Sequence, residues 1–322
     1  MKRWLLLLIF AFGAVTSPHI YAQEDDDNPN VVRPTGVTKK SHTAKKSSAS
    51  DTKRASARKR ADDDDVTISR PAANPTPSGA VPNTRAVSVM VIDAQSGQVM
   101  YEKNADAQRA AASTQKLLTS LIIAERGYLD KMVTVEQIDT MAEPVKLNIR
   151  PGDSYQRIDL LRALLVKSPN DVARCLARDC AGSIEAFALL MNAKARDLGA
   201  THSHFVNPNG LPMPGQYSSA RDLSVIARAA YANATIRSIV SQPQIVFRFA
   251  NGRTRELENT NKVLRRLPFC NGMKTGYTEA AGHCLIASGA RPGRDVIVVV
   301  LGDSKSGVWQ DASALLSWGL YL

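Results

Sequence analysis

Ser113-Thr-Gln-Lys116-Leu-Leu-Thr-Ser-Leu-Ile-Ile123 decides how the rest of this chain is read. Leu117, Leu118, Leu121, Ile122 and Ile123 are spaced as on a buried helix, with the serine and the lysine at its start. Ser-x-x-Lys alone carries little, because the spacing recurs at Ser50 to Lys53 and Ser56 to Lys59, both in hydrophilic chain. What sets Ser113 apart is the apolar run behind it and two further motifs downstream, Ser168-Pro-Asn170 and Lys274-Thr-Gly276. Each of those two patterns occurs once, and the order and separation mark three parts of one site.

The neighbouring patterns supply the scaffold. Residues 86–93 alternate and are Val-rich, Gln95-Ser-Gly97 is turn material, and residues 98–103 resume an extended pattern, which predicts a β-hairpin. Helical periodicity marks 157–166, 171–179, 183–198 and 219–233, with an irregular loop, Asn207-Pro-Asn-Gly-Leu-Pro-Met-Pro-Gly215, between the last two. Strand patterns return at 244–250, 272–276, 283–290 and 295–301, and 306–320 reads as a closing helix. The expected fold class is α/β (α+β): an antiparallel sheet flanked by helices, its first and last segments adjacent, with an all-helical lobe inserted between them. The motifs then fall on a helix start, a loop of the lobe and a strand, a placement that lets them meet in a cleft.

A serine hydroxyl is a weak nucleophile at neutral pH and needs a base within hydrogen-bond reach. Lys116 shares a helix face with Ser113, and it serves as that base only when uncharged, a state favoured by burial and by a second cation such as Lys274. Lys116 is therefore predicted to titrate well below an ordinary lysine, and an ordinary value in a site-specific NMR titration would contradict this. A helix start at Ser113 favours an oxyanion beside its free N–H groups. Ser168 has the chemistry to relay a proton. Asn170 has the chemistry to bond both Lys116 and a peptide group. Lys274 and Thr275 suit a carboxylate, Gly276 allows a peptide close to the strand edge, and the backbone N–H of Tyr277 offers a second donor to an oxyanion.

Both ends of the sequence carry other signals. Met1-Lys-Arg-Trp4, an apolar run of eleven residues from Leu5 to Val15 and a small residue at Ala22 predict a signal peptide over 1–22. Eleven apolar residues fall short of the roughly 20 that span a bilayer. Residues 23–83 are rich in charge, Ser, Ala and Pro without periodicity and read as a disordered linker, leaving 84–322 as the globular domain. Within the linker the basic stretch 31–60, followed by Asp62 to Asp65, offers attraction to an anionic wall polymer or membrane surface. The pI of about 9.6 would also suit nucleic acid, but the export signal argues against that partner.

Four cysteines, Cys175, Cys180, Cys270 and Cys284, would meet an oxidising compartment after export. Cys175 and Cys180 point apart on a predicted helix. Cys270 and Cys284 either pair across a hairpin, if their Cα atoms come within about 7 Å, or stay as buried thiols. His202-Ser-His204 has metal-like spacing without further ligands in a zinc pattern, so no metal and no cofactor is expected.

The three motifs, with Val206-Asn-Pro-Asn-Gly-Leu211, Tyr217-Ser-Ser-Ala-Arg-Asp222 and Asn271-Gly-Met-Lys-Thr-Gly-Tyr-Thr278, make residues 87–318 resemble the low-molecular-mass penicillin-binding proteins of the D-alanyl-D-alanine carboxypeptidase family. The resemblance implies a β-lactamase/transpeptidase-like fold and a serine peptidase acting on peptidoglycan stem peptides in the periplasm or cell-wall space. It implies an acyl-enzyme on Ser113, with Lys116 as proton acceptor, Ser168 as relay, and Lys274 with Thr275 on the terminal carboxylate. β-Lactam antibiotics should acylate the same serine. Many members carry a further β-domain and an amphipathic tail that lies on the membrane; here the sequence stops at Leu322, just after the closing helix, and a form without that tail is expected. Ala280-Ala-Gly-His-Cys284 also looks like the related D-alanyl-D-alanine endopeptidases, which cut cross-links. A class A β-lactamase would need a deacylating Glu, for which Glu256-Leu-Glu-Asn259 is the nearest look-alike but too close to Lys274. A catalytically idle wall-binding protein would not need the nucleophile and base.

Overall fold

The computed structural model describes residues 79–322, which lie within one compact unit. The signal segment 1–22, the basic stretch 31–60 and most of the linker lie outside the described residues. In chain order the elements begin with β1 (Ser88–Asp93), β2 (Val99–Lys103), a 3-10 turn (Ala112–Gln115), α1 (Lys116–Arg126), β3 (Met132–Thr134), α2 (Gln137–Thr140) and β4 (Ser154–Gln156). Then follow α3 (Arg157–Lys167), α4 (Asn170–Ala181), α5 (Ile184–Asp197), α6 (Ala220–Ala232), α7 (Ala234–Val240), β5 (Gln244–Arg248) and β6 (Thr254–Glu258). The chain closes through α8 (Val263–Arg266), β7 (Cys270–Thr278), β8 (Gly282–Arg291), β9 (Arg294–Asp303) and α9 (Gly307–Tyr321).

Period-two alternation explains the central sheet, which is antiparallel throughout in the order β2-β1-β9-β8-β7. Val89, Val91, Leu285, Val296, Val298 and Val300 face one side and pack under Leu315, Leu316 and Leu320 of α9. Their neighbours Met90, Ile92, Ile286, Ile297, Val299 and Leu301 face the other side, toward the inserted lobe. With both faces covered, β9 reads as an unbroken apolar run, Val296 to Leu301, instead of an alternating one. The first strand and the last pair directly, Val89 opposite Val300, so the chain ends close the sheet around the insertion.

The lobe corrects the expectation of an all-helical insertion. Two small two-stranded sheets, β3 with β4 and β5 with β6, are built into it. The predicted strand over 244–250 is the first half of that second hairpin and ends at Arg248. At the centre of the lobe, α1 buries Leu117, Leu118, Thr119, Ser120, Leu121 and Ile123 among α3, α4, α5 and α6, and it stops at Gly127 with φ 73°. The helix that carries Lys116, one turn after Ser113, is thus fixed by surrounding helices on nearly every side.

The cysteine alternatives are also decided. All four cysteines are free and buried. Cys284 lies opposite Gly276 in the β7–β8 ladder, while Cys270 lies opposite Gly289. Six residues of strand separate their positions, about 20 Å at roughly 3.3 Å per residue, far beyond disulfide reach. Burial pushes both thiols up to about 11, so they are un-ionised at neutral pH.

Candidate active site

Ser113 sits in the 3-10 turn just before α1, not on the α-helix itself. Ala112 adopts φ 47°, a conformation rare for non-glycine residues, and turns the chain into that position. Lys116, fully buried at the first position of α1, donates from Nζ to Ser113 Oγ at 2.7 Å and to Asn170 Oδ1 at 2.8 Å. A hydroxyl, an amine and an amide oxygen are thereby joined in a water-poor setting.

The second motif is assembled by the ends of two helices. Ser168 terminates α3 in the left-handed conformation (φ 68°), Pro169 redirects the chain, and Asn170 opens α4. Both Asn170 donors are engaged: Nδ2 bonds the carbonyls of Glu143 (3.1 Å) and Pro144 (2.9 Å). With its amide protons on those carbonyls, Asn170 presents its oxygen to Lys116. Next to it, the buried Asp171 accepts from the backbone N–H groups of Leu147 (2.9 Å), Asn148 (2.8 Å) and Ile149 (3.3 Å), which pins segment 143–149 against the start of α4. The Ser168 hydroxyl, only 4% exposed, finds no hydrogen-bond partner among the described residues and caps nothing. A buried hydroxyl without a partner costs about 1–3 kcal/mol, a state Ser168 shares with Ser88, Ser120 and Ser313, so its place beside Asn170, and not the missing bond, ties it to the site.

The third motif reaches Ser113 through a glycine. A Cβ on Gly276 would stand 2.7 Å from the Ser113 backbone nitrogen, 2.9 Å from that of Thr114 and 3.0 Å from Ala112 Cβ. The glycine therefore lets β7 lie directly on the nucleophile turn, a tighter demand than the room for a peptide that the sequence suggests. Lys274, buried, donates from Nζ to the Thr275 carbonyl at 3.0 Å, and Thr275 Oγ1 donates to Thr260 Oγ1 at 2.7 Å. Thr275 and Tyr277, two apart, direct their backbone groups to the same side of this edge strand. The Tyr277 ring stacks on His283 at 4.3 Å.

The irregular loop that holds Asn207 to Gly210 completes the site on the lobe side. Gln115 Nε2 donates to the Asn207 carbonyl (2.6 Å), Thr119 Oγ1 to that of Pro208 (2.8 Å) and Ser113 Oγ to that of Asn209 (3.4 Å). Gly210, at φ 87°, backs onto Ala112 so closely that any side chain would strike its carbonyl. The remaining candidates stand apart. His204 Nδ1 lies 2.8 Å from the Gly215 carbonyl, Glu256 is exposed on β6, and no group of three or more His, Cys, Asp or Glu able to hold a metal occurs among the described residues. Two cavities, of about 470 and 560 Å³, contain none of the motif residues.

Over residues 74–305 the chain matches the peptidase family described as D-alanyl-D-alanine carboxypeptidase. It is 37% identical over 254 residues to the D-alanyl-D-alanine carboxypeptidase DacB2 of Mycobacterium tuberculosis, covering 77% of this chain and 87% of that protein. It is 32% identical over 242 residues to the D-alanyl-D-alanine endopeptidase of Escherichia coli, covering 74% and 78%. Its match to the carboxypeptidase DacF of Bacillus subtilis, 33% identical over 225 residues, covers 68% of this chain but only 58% of that longer protein. Among solved structures, a D-alanyl-D-alanine carboxypeptidase of Mycobacterium tuberculosis superposes with a TM-score of 0.71 at 36% identity, covering 78% of this chain and 95% of the other.

Proposed function

Because this chain belongs to the D-alanyl-D-alanine carboxypeptidase family of serine peptidases, we propose that it removes the terminal D-alanine from peptidoglycan stem peptides through an acyl-enzyme on Ser113. The observation that carries this assignment is the buried 2.7 Å contact between Lys116 Nζ and Ser113 Oγ. Lys116, uncharged, takes the hydroxyl proton as Ser113 Oγ attacks the carbonyl of the penultimate D-alanine. The oxyanion forms between the backbone N–H groups of Ser113 and Tyr277, whose donors in such sites contribute about 10²–10³ in rate. Collapse breaks the C–N bond, and Ser168 passes the proton to the departing amine. Water then cleaves the ester and restores the serine. Lys274 and Thr275 hold the free carboxylate, which selects the chain terminus.

Penicillins carry a carboxylate and a strained amide in comparable places, so they should acylate Ser113. Intact mass spectrometry after penicillin treatment is the test: a covalent adduct on the parent and none on Ser113→Ala. An adduct on both removes Ser113 from its role. A second reading, cleavage of cross-links, is favoured by the likeness to the Escherichia coli endopeptidase. Release of D-alanine from a monomeric pentapeptide, set against conversion of dimeric muropeptides to monomers, separates the two. Export to the periplasm or cell-wall space rests on the predicted signal segment 1–22, and attachment to anionic polymer or lipid rests on the basic stretch 31–60. Loss of wall association on deleting 31–60 would support the second.

A further inference from the structure

Thr260, between β6 and α8, belongs to none of the three motifs, yet it touches two of their neighbourhoods. Its backbone N–H donates to the Val166 carbonyl at 3.1 Å, two residues before Ser168. Its hydroxyl accepts from Thr275 Oγ1 at 2.7 Å. Both flanking residues are buried anchors: Asn261 Nδ2 donates to the Gly272 carbonyl of β7 (2.7 Å), and Asn259 Oδ1 accepts from the Asn261 N–H (2.9 Å). The Thr260 side chain is thus held at a fixed place beside the hydroxyl that is to bind the substrate's terminus.

We infer that Thr260 is a positioning residue for substrate selection, serving as the switchable partner that lets Thr275 turn its proton onto a terminal carboxylate. The inference rests on the carboxylate role given to Thr275 above. A hydroxyl has one proton and two acceptor sites. In the structure the Thr275 hydroxyl donates to Thr260. When a carboxylate arrives, Thr275 Oγ1 rotates its O–H onto the anion, and the Thr260 O–H reverses to donate into the lone pair that is freed. No covalent bond changes: the bond from Thr275 to Thr260 gives way to one from Thr275 to the carboxylate and one from Thr260 to Thr275. The new bond is charge-assisted, and a donor behind Thr275 polarises it further. A valine at 260 keeps the shape and the backbone bond to Val166 but has no proton to give. A serine keeps the proton.

The test separates this from a merely structural role. In a Ser113→Ala background, Kd is measured by calorimetry for diacetyl-Lys-D-Ala-D-Ala and for its C-terminal amide, with Thr260, Thr260→Val, Thr260→Ser and, should valine not fold, Thr260→Ala. The valine variant is expected to weaken the free acid about tenfold, equivalent to about 1.4 kcal/mol, and the amide less than about twofold. The serine variant stays near the parent for both. With Ser113 intact, Thr260→Val raises KM while kcat holds. Equal weakening of acid and amide, no rescue by serine, or a parent that binds both ligands alike overturns the inference. Absence of D-alanine release would count instead against the proposed reaction, since the binding comparison needs no turnover.

Discussion

The two walls of the site are held by different means. On the lobe side, Asn170, Asp171 and the 207–211 loop are fixed by side chain–backbone bonds and Lys116 by the side chains of Ser113 and Asn170, with Ser168 alone of the motif residues there lacking a partner among the described residues. On the sheet side, β7 is fixed by its ladder to β8 and by Asn261 and Thr260, and it presents little beyond a lysine, a threonine and a glycine. The nucleophile and base need a preset geometry, for which buried polar networks serve. The ligand needs an open strand edge, which a backbone ladder supplies without side chains in the way.

Removing the base should therefore cost most. Lys116→Ala is expected to lower the rate of acylation by penicillin about 10³-fold, within the range of general-base loss, and it also leaves Asn170 Oδ1 without its donor. A loss below about tenfold would move the base elsewhere. Next comes the contact between the walls. Gly276→Ala brings a Cβ within 2.7 Å of the Ser113 nitrogen, so either the turn or the strand has to shift. A misplacement near 1 Å costs about 10²-fold in kcat/KM, and the clash with backbone adds about 1–3 kcal/mol of lost stability, read as a lower melting temperature. Unchanged kinetics would mean that the two walls are not in register with the chemistry.

A smaller effect is expected from the support behind Asn170. Asp171→Asn replaces an acceptor oxygen by an amide beside the N–H groups of Leu147, Asn148 and Ile149. Leaving such donors without an acceptor costs about 1–3 kcal/mol, read as a lower denaturant midpoint, with activity falling less than in the Gly276 variant. An unchanged midpoint would show that segment 143–149 is held by other bonds.

This division also explains what the sequence discloses. The chemistry-bearing residues recur in compact motifs, and α1 and β9 carry apolar runs long enough to reveal period and burial. β3 and β4 have three residues each and α2 and α8 four, too short to display any period. Asn170 is legible as a site residue, but the direction of its donors depends on Glu143 and Pro144, which nothing in the sequence ties to it. Gly276 is legible as a close approach, though its true neighbour, the Ser113 nitrogen, is set by the packing of the turn on β7. Thr260 is invisible because its partners lie 15 and 94 residues away in no common pattern. The Cys270–Cys284 pairing is not decided by the sequence, because a hairpin brings segments together while its register decides which residues meet.

The smallest expected effect lies outside the site and calibrates the lobe's polar network. Asp179 is buried and faces the buried Arg157 and the half-exposed Lys131. Desolvation acts upward on its carboxyl, but the bonds from Lys131 and Arg157 outweigh it and hold the group below its ordinary value of 3.8. A carboxyl depressed in the folded state contributes stability above its unfolded value, and that contribution disappears as pH falls through the lower folded value. Lys131→Met removes only the exposed partner, so its cost at pH 7 should be about 0.5 kcal/mol. The gap between parent and variant should close as the solution is acidified below 3.8, where Asp179 takes up a proton. A gap that persists unchanged at low pH would assign the effect to the packing of the lysine stem and remove the charge of Lys131 from the network.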